Sequence, residues 1–177
     1  VRVMDVNLSF QPERAATLRI DPDSRYSTQA QQNTYYNEAL RLVRDIPGVQ
    51  SAGLTDALPL GRNRTWGAPA EGHNYTKENF PLAFPRIASD GYVHAMGIPL
   101  IAGRDFTARD TPESEPVIIV NQTMAAALWP GENALGKRIG AGGNQFRRVV
   151  GIVGDVRHLA LEKNSGNEMY IPIRQTQ

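Results

Sequence analysis

The chain contains no cysteine, which excludes disulfides, thiolate nucleophiles and zinc–cysteine sites, and leaves oxidising and reducing compartments equally open. Long apolar runs are missing too. The longest strongly apolar stretch is residues 117–120, against the roughly 18–20 that a membrane span needs, and mean hydropathy is -0.39. Neither sign of charge dominates: 19 basic and 18 acidic residues leave +1, and no block of like charge exceeds Arg147-Arg148. The phosphate-neutralising patch of a nucleic-acid binder is therefore absent, and no nucleic acid is expected as partner. Proline (12) and glycine (16) fall short of low-complexity levels, so collagen-like and disordered classes are excluded.

What remains is an ordinary globular composition with 41% hydrophobic residues. A chain of 177 residues can bury roughly 70% of the surface it exposes when unfolded. One domain, with two lobes, is the expected organisation. The chain begins at Val1 without the charged, apolar and small-residue pattern of a signal peptide, and so reads as a piece of something larger.

Residues 16–21 alternate Leu18 and Ile20 with Thr17 and Arg19, the period of a half-buried strand ended by Pro22. A helix follows from Thr28, whose hydroxyl can cap while Gln31 reaches back, with an apolar stripe through Tyr36, Ala39, Leu40 and Val43. Pro47-Gly48 ends it, and residues 49–55 read as a second strand, giving a β-α-β unit over 16–55. Residues 58–85 read as loop and short strand. Asp90 is placed as the cap of a short helix through Met96, with Gly97 as its left-handed exit and an extended segment at 98–101. Residues 117–120 form a buried strand that runs into a helix capped by Asn121, with Met124, Ala127 and Leu128 inward and Pro130-Gly131 as the stop. Further strands are expected at 138–139, 146–150, 151–156 and 169–173.

The most tempting chemical motif is Gly131, four residues, then Gly136-Lys137, the core of a phosphate-binding loop. Arg138 stands where Mg²⁺ needs a hydroxyl. A helix also precedes the loop and a strand follows it, so no helix N-terminus faces a phosphate. Gly140, Gly142 and Gly143 do not complete a dinucleotide fingerprint, since position 145 is Gln, and they read as a hairpin loop. His73, His94 and His158 lack metal-binding spacing. No G-x-S-x-G elbow marks a nucleophilic serine, and Asp155 with His158 would need a third partner. Four Asn-x-Ser/Thr sequons occur, at Asn7, Asn63, Asn74 and Asn121. No catalytic, cofactor-binding or metal-ligating residue is assigned, no cofactor is expected, and the chain is read as not an enzyme. Trp66, Tyr75, Phe80 and Phe84 could line a pocket, which keeps a ligand-binding or sensor module as the alternative. A hydrolase is the least favoured class.

Six ordered strings carry a family resemblance: GIPLIAGRDFT at 97–107, PVIIVNQT at 116–123, LWPGE at 128–132, LGKRI at 135–139, VVGIVGDVR at 149–157 and EMYIP at 168–172. Their order and spacing resemble the extracytoplasmic domain of MacB-type ABC transporter permeases of the FtsX/MacB family, closest to a duplicated permease group abundant in acidobacteria. The resemblance covers residues 16–177. It implies a two-lobed α+β domain on the periplasmic side of a bacterial inner membrane: a porter-like β-α-β lobe of 1–56 and 148–177, and an inserted mixed α/β sabre-like lobe of 57–147. It further implies a non-catalytic role in efflux, coupling transmembrane-helix motion to an outside partner or substrate. The implied partners are the flanking transmembrane helices, a periplasmic adaptor, a cytoplasmic ATPase and a second copy in a dimer.

Overall fold

The computed structural model describes residues 16–58, 64–143, 145–156 and 166–176. Its centre is a seven-stranded mixed sheet in the order β1 (Trp66–Gly67), β2 (Leu82–Ala88), β7 (Glu168–Pro172), β4 (Val117–Asn121), β6 (Phe146–Val153), β3 (Leu100–Gly103). Strand β5 (Arg138–Gly140) shares the β3 edge of β6, further toward the start of that strand. β2 with β7 and β4 with β6 are parallel pairs, and the other pairings are antiparallel. The class is α+β.

β4 and β7 lie inside the sheet, and every residue of each is buried. A strand covered on both faces must be apolar at consecutive positions, which explains the unbroken Val117-Ile118-Ile119-Val120. The pleat sends Ile118 and Val120 to one core with Met169, Ile171 and helix α3 (Gln122–Leu128), and Val117 and Ile119 to the other with Tyr170 and helix α2 (Tyr92–Ala95). Helix α3 starts as expected, with Asn121 Oδ1 accepting from Met124 N–H at 3.0 Å. Its inward residues are Met124 and Leu128, followed by buried Trp129; Ala127 is exposed.

Helix α1 (Gln29–Arg44) carries the full capping box: Thr28 Oγ1 accepts from Gln31 N–H, and Gln31 Oε1 accepts from Thr28 N–H. The β-α-β reading around it is corrected. Residues 16–20 form no strand, Leu18 is 73% exposed, and 49–54 pair with nothing as a strand; a lone bridge joins Thr55 to Ala88. Alternation marks a strand only when a neighbour accepts its hydrogen bonds, and none of the described strands stands there. Asp90 does not cap α2. Gly91 occupies that position in the left-handed region, and Asp90 instead takes Arg44 at 3.1 Å and Arg174 at 3.7 Å. Gly97 does provide the left-handed exit, at φ 66.

The expected lobe boundaries at 56/57 and 147/148 meet a continuous sheet. β6 spans the second boundary itself, pairing with β3, β4 and β5 from the intervening segment, while β7 pairs with β2 and β4. β6 is also one strand rather than two, with a register shift opposite Ile118/Ile119.

Candidate functional site

Several of the residues that suggested chemistry have a structural occupation. The loop from Gly131 to Lys137 connects α3 to β5, and Lys137 Nζ donates to Glu132 Oε2 at 2.6 Å. Arg138 leaves the loop for Glu71, at 2.9 Å. Gly140 and Gly142 belong to the β5–β6 hairpin, as expected, with Gly142 at φ 73 and the Trp66 ring packed where a side chain would project. Asp155 accepts from Thr123 N–H at 3.1 Å and Thr123 Oγ1 at 2.7 Å, so both oxygens brace the start of α3. His158 lies outside the described residues, as do Asn7 and Asn63. His73 stacks on Tyr75 at 6.2 Å between centroids, and His94 sits exposed on α2. No group of three His, Cys, Asp or Glu able to hold a metal occurs among the described residues.

Asn121 is fully buried and bonded at both ends of its side-chain amide. Its Oδ1 also accepts from Glu168 N–H at 3.0 Å, and its Nδ2 donates to the Gly166 carbonyl at 2.8 Å. That sequon is inaccessible, whereas Asn74 is exposed. The four aromatics do not converge. Trp66 and Tyr75 pack on the α3-side core and Phe80 meets Tyr75 edge-on, while Phe84 stands on the opposite face of β2 from Ala83 of that core.

Two features escape sequence reasoning. The first is a buried polar cluster on β2 and β7: Arg86 and Glu168 are fully buried, and Tyr170 Oη donates to Glu168 at 3.4 Å, with Tyr92 beside it. Burial pushes the Tyr92 phenol up to about 12, and burial, with the Glu168 charge adding to it, also pushes the Tyr170 phenol well up from its ordinary value. Both phenols therefore stay protonated at physiological pH. The cluster supplies no phenolate nucleophile or base.

The second is a groove of about 520 Å³ between the β3–β4 loop and β6, lined by Arg104, Arg109, Asp110, Glu115 and Arg148. Its loop wall is stapled twice. Asp110 accepts from both Arg104 Nη atoms at 2.9 and 2.8 Å and from Thr107 N–H at 2.7 Å. Further along, Gln175 Nε2 donates to the Thr111 and Glu115 carbonyls and to Ser114 Oγ, while its Oε1 accepts from Val117 N–H. Behind that wall Arg147 is 8% exposed, and its side-chain bonds among the described residues run to the Oε1 and carbonyl of Gln175, at 3.1 and 3.0 Å. Gln175 thus ties strand end, loop and buried guanidinium together. Nothing local in the sequence joins positions 111, 147 and 175.

The chain thus presents a mixed sheet with helices on both faces and a charged groove along β6. The profile of the MacB-like periplasmic core domain matches residues 3–177, and the chain belongs to that family. Among curated proteins nothing matches. The periplasmic region of MacB from Actinobacillus actinomycetemcomitans is similar at 19% identity and TM-score 0.55, covering 78% of this chain and 55% of that one. The extracellular domain of the noncanonic ABC-type transporter YknZ from Gram-positive bacteria is similar at 23% and 0.51, covering 77% and 61%. A domain from Porphyromonas gingivalis, described as belonging to a permease, gives 19% and 0.51, covering 79% and 52%. At these identities the likeness concerns the fold. The chain spans a little over half the length of these solved structures. No helix among the described residues is long and apolar enough to cross a membrane.

Proposed function

We propose that the chain serves as a non-catalytic extracytoplasmic module of a MacB/FtsX-like permease, passing motion between transmembrane helices and an outside partner during efflux. The observation that carries this reading is the unbroken sheet, with β4 and β7 wholly buried between two cores. Close-packed interiors resist continuous deformation, so such a body transmits displacement rather than absorbing it. The moving unit in this reading is the whole sheet body and not one lobe against another. Its partners would be the flanking helices, a periplasmic adaptor, an ATPase on the cytoplasmic side and a second copy of the domain.

The test uses the absence of native cysteine. Ala102 and Ile152 face each other across β3 and β6, from opposite sides of the expected lobe boundary. In the full-length permease, Ala102→Cys with Ile152→Cys should form a disulfide and leave transport unchanged, while excising residues 16–176 should abolish it. Turnover lost on oxidation and restored by reductant would mean that these strands move apart, and would overturn the rigid-body reading. Mg-ATP titrated into the chain should give no heat, because the loop at 131–137 opens no helix and Lys137 is held by Glu132.

A further inference from the structure

The groove beside β6 sets three guanidinium groups, Arg104, Arg109 and Arg148, against two carboxylates, Asp110 and Glu115. They differ in what holds them. Arg104 is committed to Asp110. Arg148 reaches Glu115 at 3.4 Å, long for a charge-assisted bond, and both side chains are more than half exposed. Arg109 makes no side-chain hydrogen bond or ion pair among the described residues; its backbone N–H alone is engaged, by Thr107 Oγ1. The strip continues past the groove. Arg138 stands directly opposite Arg148 in the β5–β6 register, where like charges repel, and it is paired with Glu71 at 2.9 Å. Arg147 adds a buried positive charge behind the wall, held by neutral oxygens. Burial lowers its pKa from the ordinary guanidinium value.

A strip of this kind costs stability in the isolated chain. Cross-strand Arg138 and Arg148 repel, eased by exposed Glu71 at 2.9 Å from the first and exposed Glu115 at 3.4 Å from the second. That cost falls further if negative charge arrives from outside. The guanidinium fork pairs with two oxygens of one carboxylate, and the walls that carry it are already fixed by Asp110 and Gln175, so little ordering is needed on binding. The occupant is not a small molecule. Small-ligand sites enclose most of their ligand, whereas here the arginines are about half exposed and lie along an open edge from the loop through β6 to β5.

We propose that this groove docks an acidic segment of a partner protein, with carboxylates seated on Arg109 and Arg148. The proposal rests on the reading of the chain as an interaction module, but its test uses the chain alone, so the outcome is independent of the transport assay. A fluorescein-labelled octaglutamate peptide serves as the probe, with anisotropy measured on the 177-residue chain at low and physiological salt. Binding is expected, and Arg109→Glu with Arg148→Glu should weaken it more than tenfold. Arg25→Glu, a charge reversal at an exposed residue paired with Asp23 and absent from the groove lining, should change it less than twofold. Melting curves of both variants should match the parent, because all three residues are exposed. No binding would overturn the proposal, and so would an equal loss in the Arg25 variant, which would mark diffuse charge attraction. Displacement of the probe by millimolar inorganic phosphate but not by glutamate would make the groove a phosphate site and overturn the partner assignment as well.

Discussion

Every residue of β4 and β7 is buried, whereas only Leu40 is buried among the 16 residues of α1. The two regions are held by different forces. The strands draw on apolar area on both faces, cooperatively and without regard to local sequence. The helix draws mostly on what lies within a few residues of it, the Thr28–Gln31 box and Arg41 between Glu38 and Asp45, with one distant anchor where Arg44 donates to the Ala52 and Asp90 carbonyls. Exposed ion pairs of this kind contribute little each, so α1 is expected to open at lower free energy than the sheet. Hydrogen exchange should show that order. Amides of β4 should exchange only through global unfolding and those of α1 well before it.

Substitutions sharpen the contrast. The largest effect is expected at the sheet centre, where Ile118→Ala empties a site with no exposure in the α3-side core; it should cost about 2–5 kcal/mol in urea unfolding. Asn121→Ala comes next. It removes the α3 cap, typically about 1 kcal/mol, and strands the buried Glu168 N–H, about 1–3 more, for an expected total of about 2–4 kcal/mol. In α1 the informative pair is two residues apart. Leu40→Ala should cost about 2 kcal/mol, at the low end for a buried leucine because its surroundings are half open, and Leu42→Ala, 54% exposed, should stay within about 0.5. Equal costs at 40 and 42 would mean that α1 is rotated on its axis. A cost at Leu40 matching Ile118 would mean that α1 is as deeply integrated as the strands.

The same division governs which features are legible in the sequence. The Thr28 capping box, the Asn121 cap and the Gly97 exit can be read there because each is decided by neighbours in the chain, and the 117–120 strand because burial on both faces leaves an unbroken β-branched run. β2 is largely hidden because Pro85 and Arg86 break its pattern. Pro85 is tolerated since Phe84 N–H turns toward β7 and the nitrogen at 85 turns the other way, where β1 has already ended opposite Ala83. Arg86 is buried beside β7, a burial that only the fold can arrange. The segment at 16–21 misleads in the opposite sense, since its alternation is present and its partner is not. In the groove, Arg104 to Asp110 is a local staple within GRDFTARD, but Gln175 reaches Thr111, Ser114, Val117 and Arg147 across up to 64 positions. No spacing rule reports such a junction.

The smallest expected effect separates two aspartates of that same loop. Burial would push the Asp110 carboxyl up, but the Arg104 guanidinium and the Thr107 N–H outweigh it and hold the group below its ordinary value of about 4. Asp105 is shifted the other way: burial raises it, and the N–H of Phe106 offsets this only in part. The signs follow from proton linkage. A carboxyl lowered on folding contributes stability that is present above about pH 4 and is lost as pH falls through its folded value. A raised one releases its proton less readily when folded, so stability declines as pH climbs from about 4 through its folded value. Asp110→Asn should therefore cost most at neutral pH and progressively less below about pH 4. Asp105→Asn should gain stability relative to the parent as pH rises above about 4, minus whatever the lost acceptor for Phe106 N–H contributes at every pH. Arg104 is nearly half exposed, so solvent screens its pair with Asp110 and keeps that difference small. Urea midpoints of the two variants and the parent, taken from about pH 3 to 8, should thus diverge with opposite slopes. Parallel curves would show that the loop does not hold its two carboxylates in different surroundings, and the groove wall would lose the rigidity that docking an acidic segment requires.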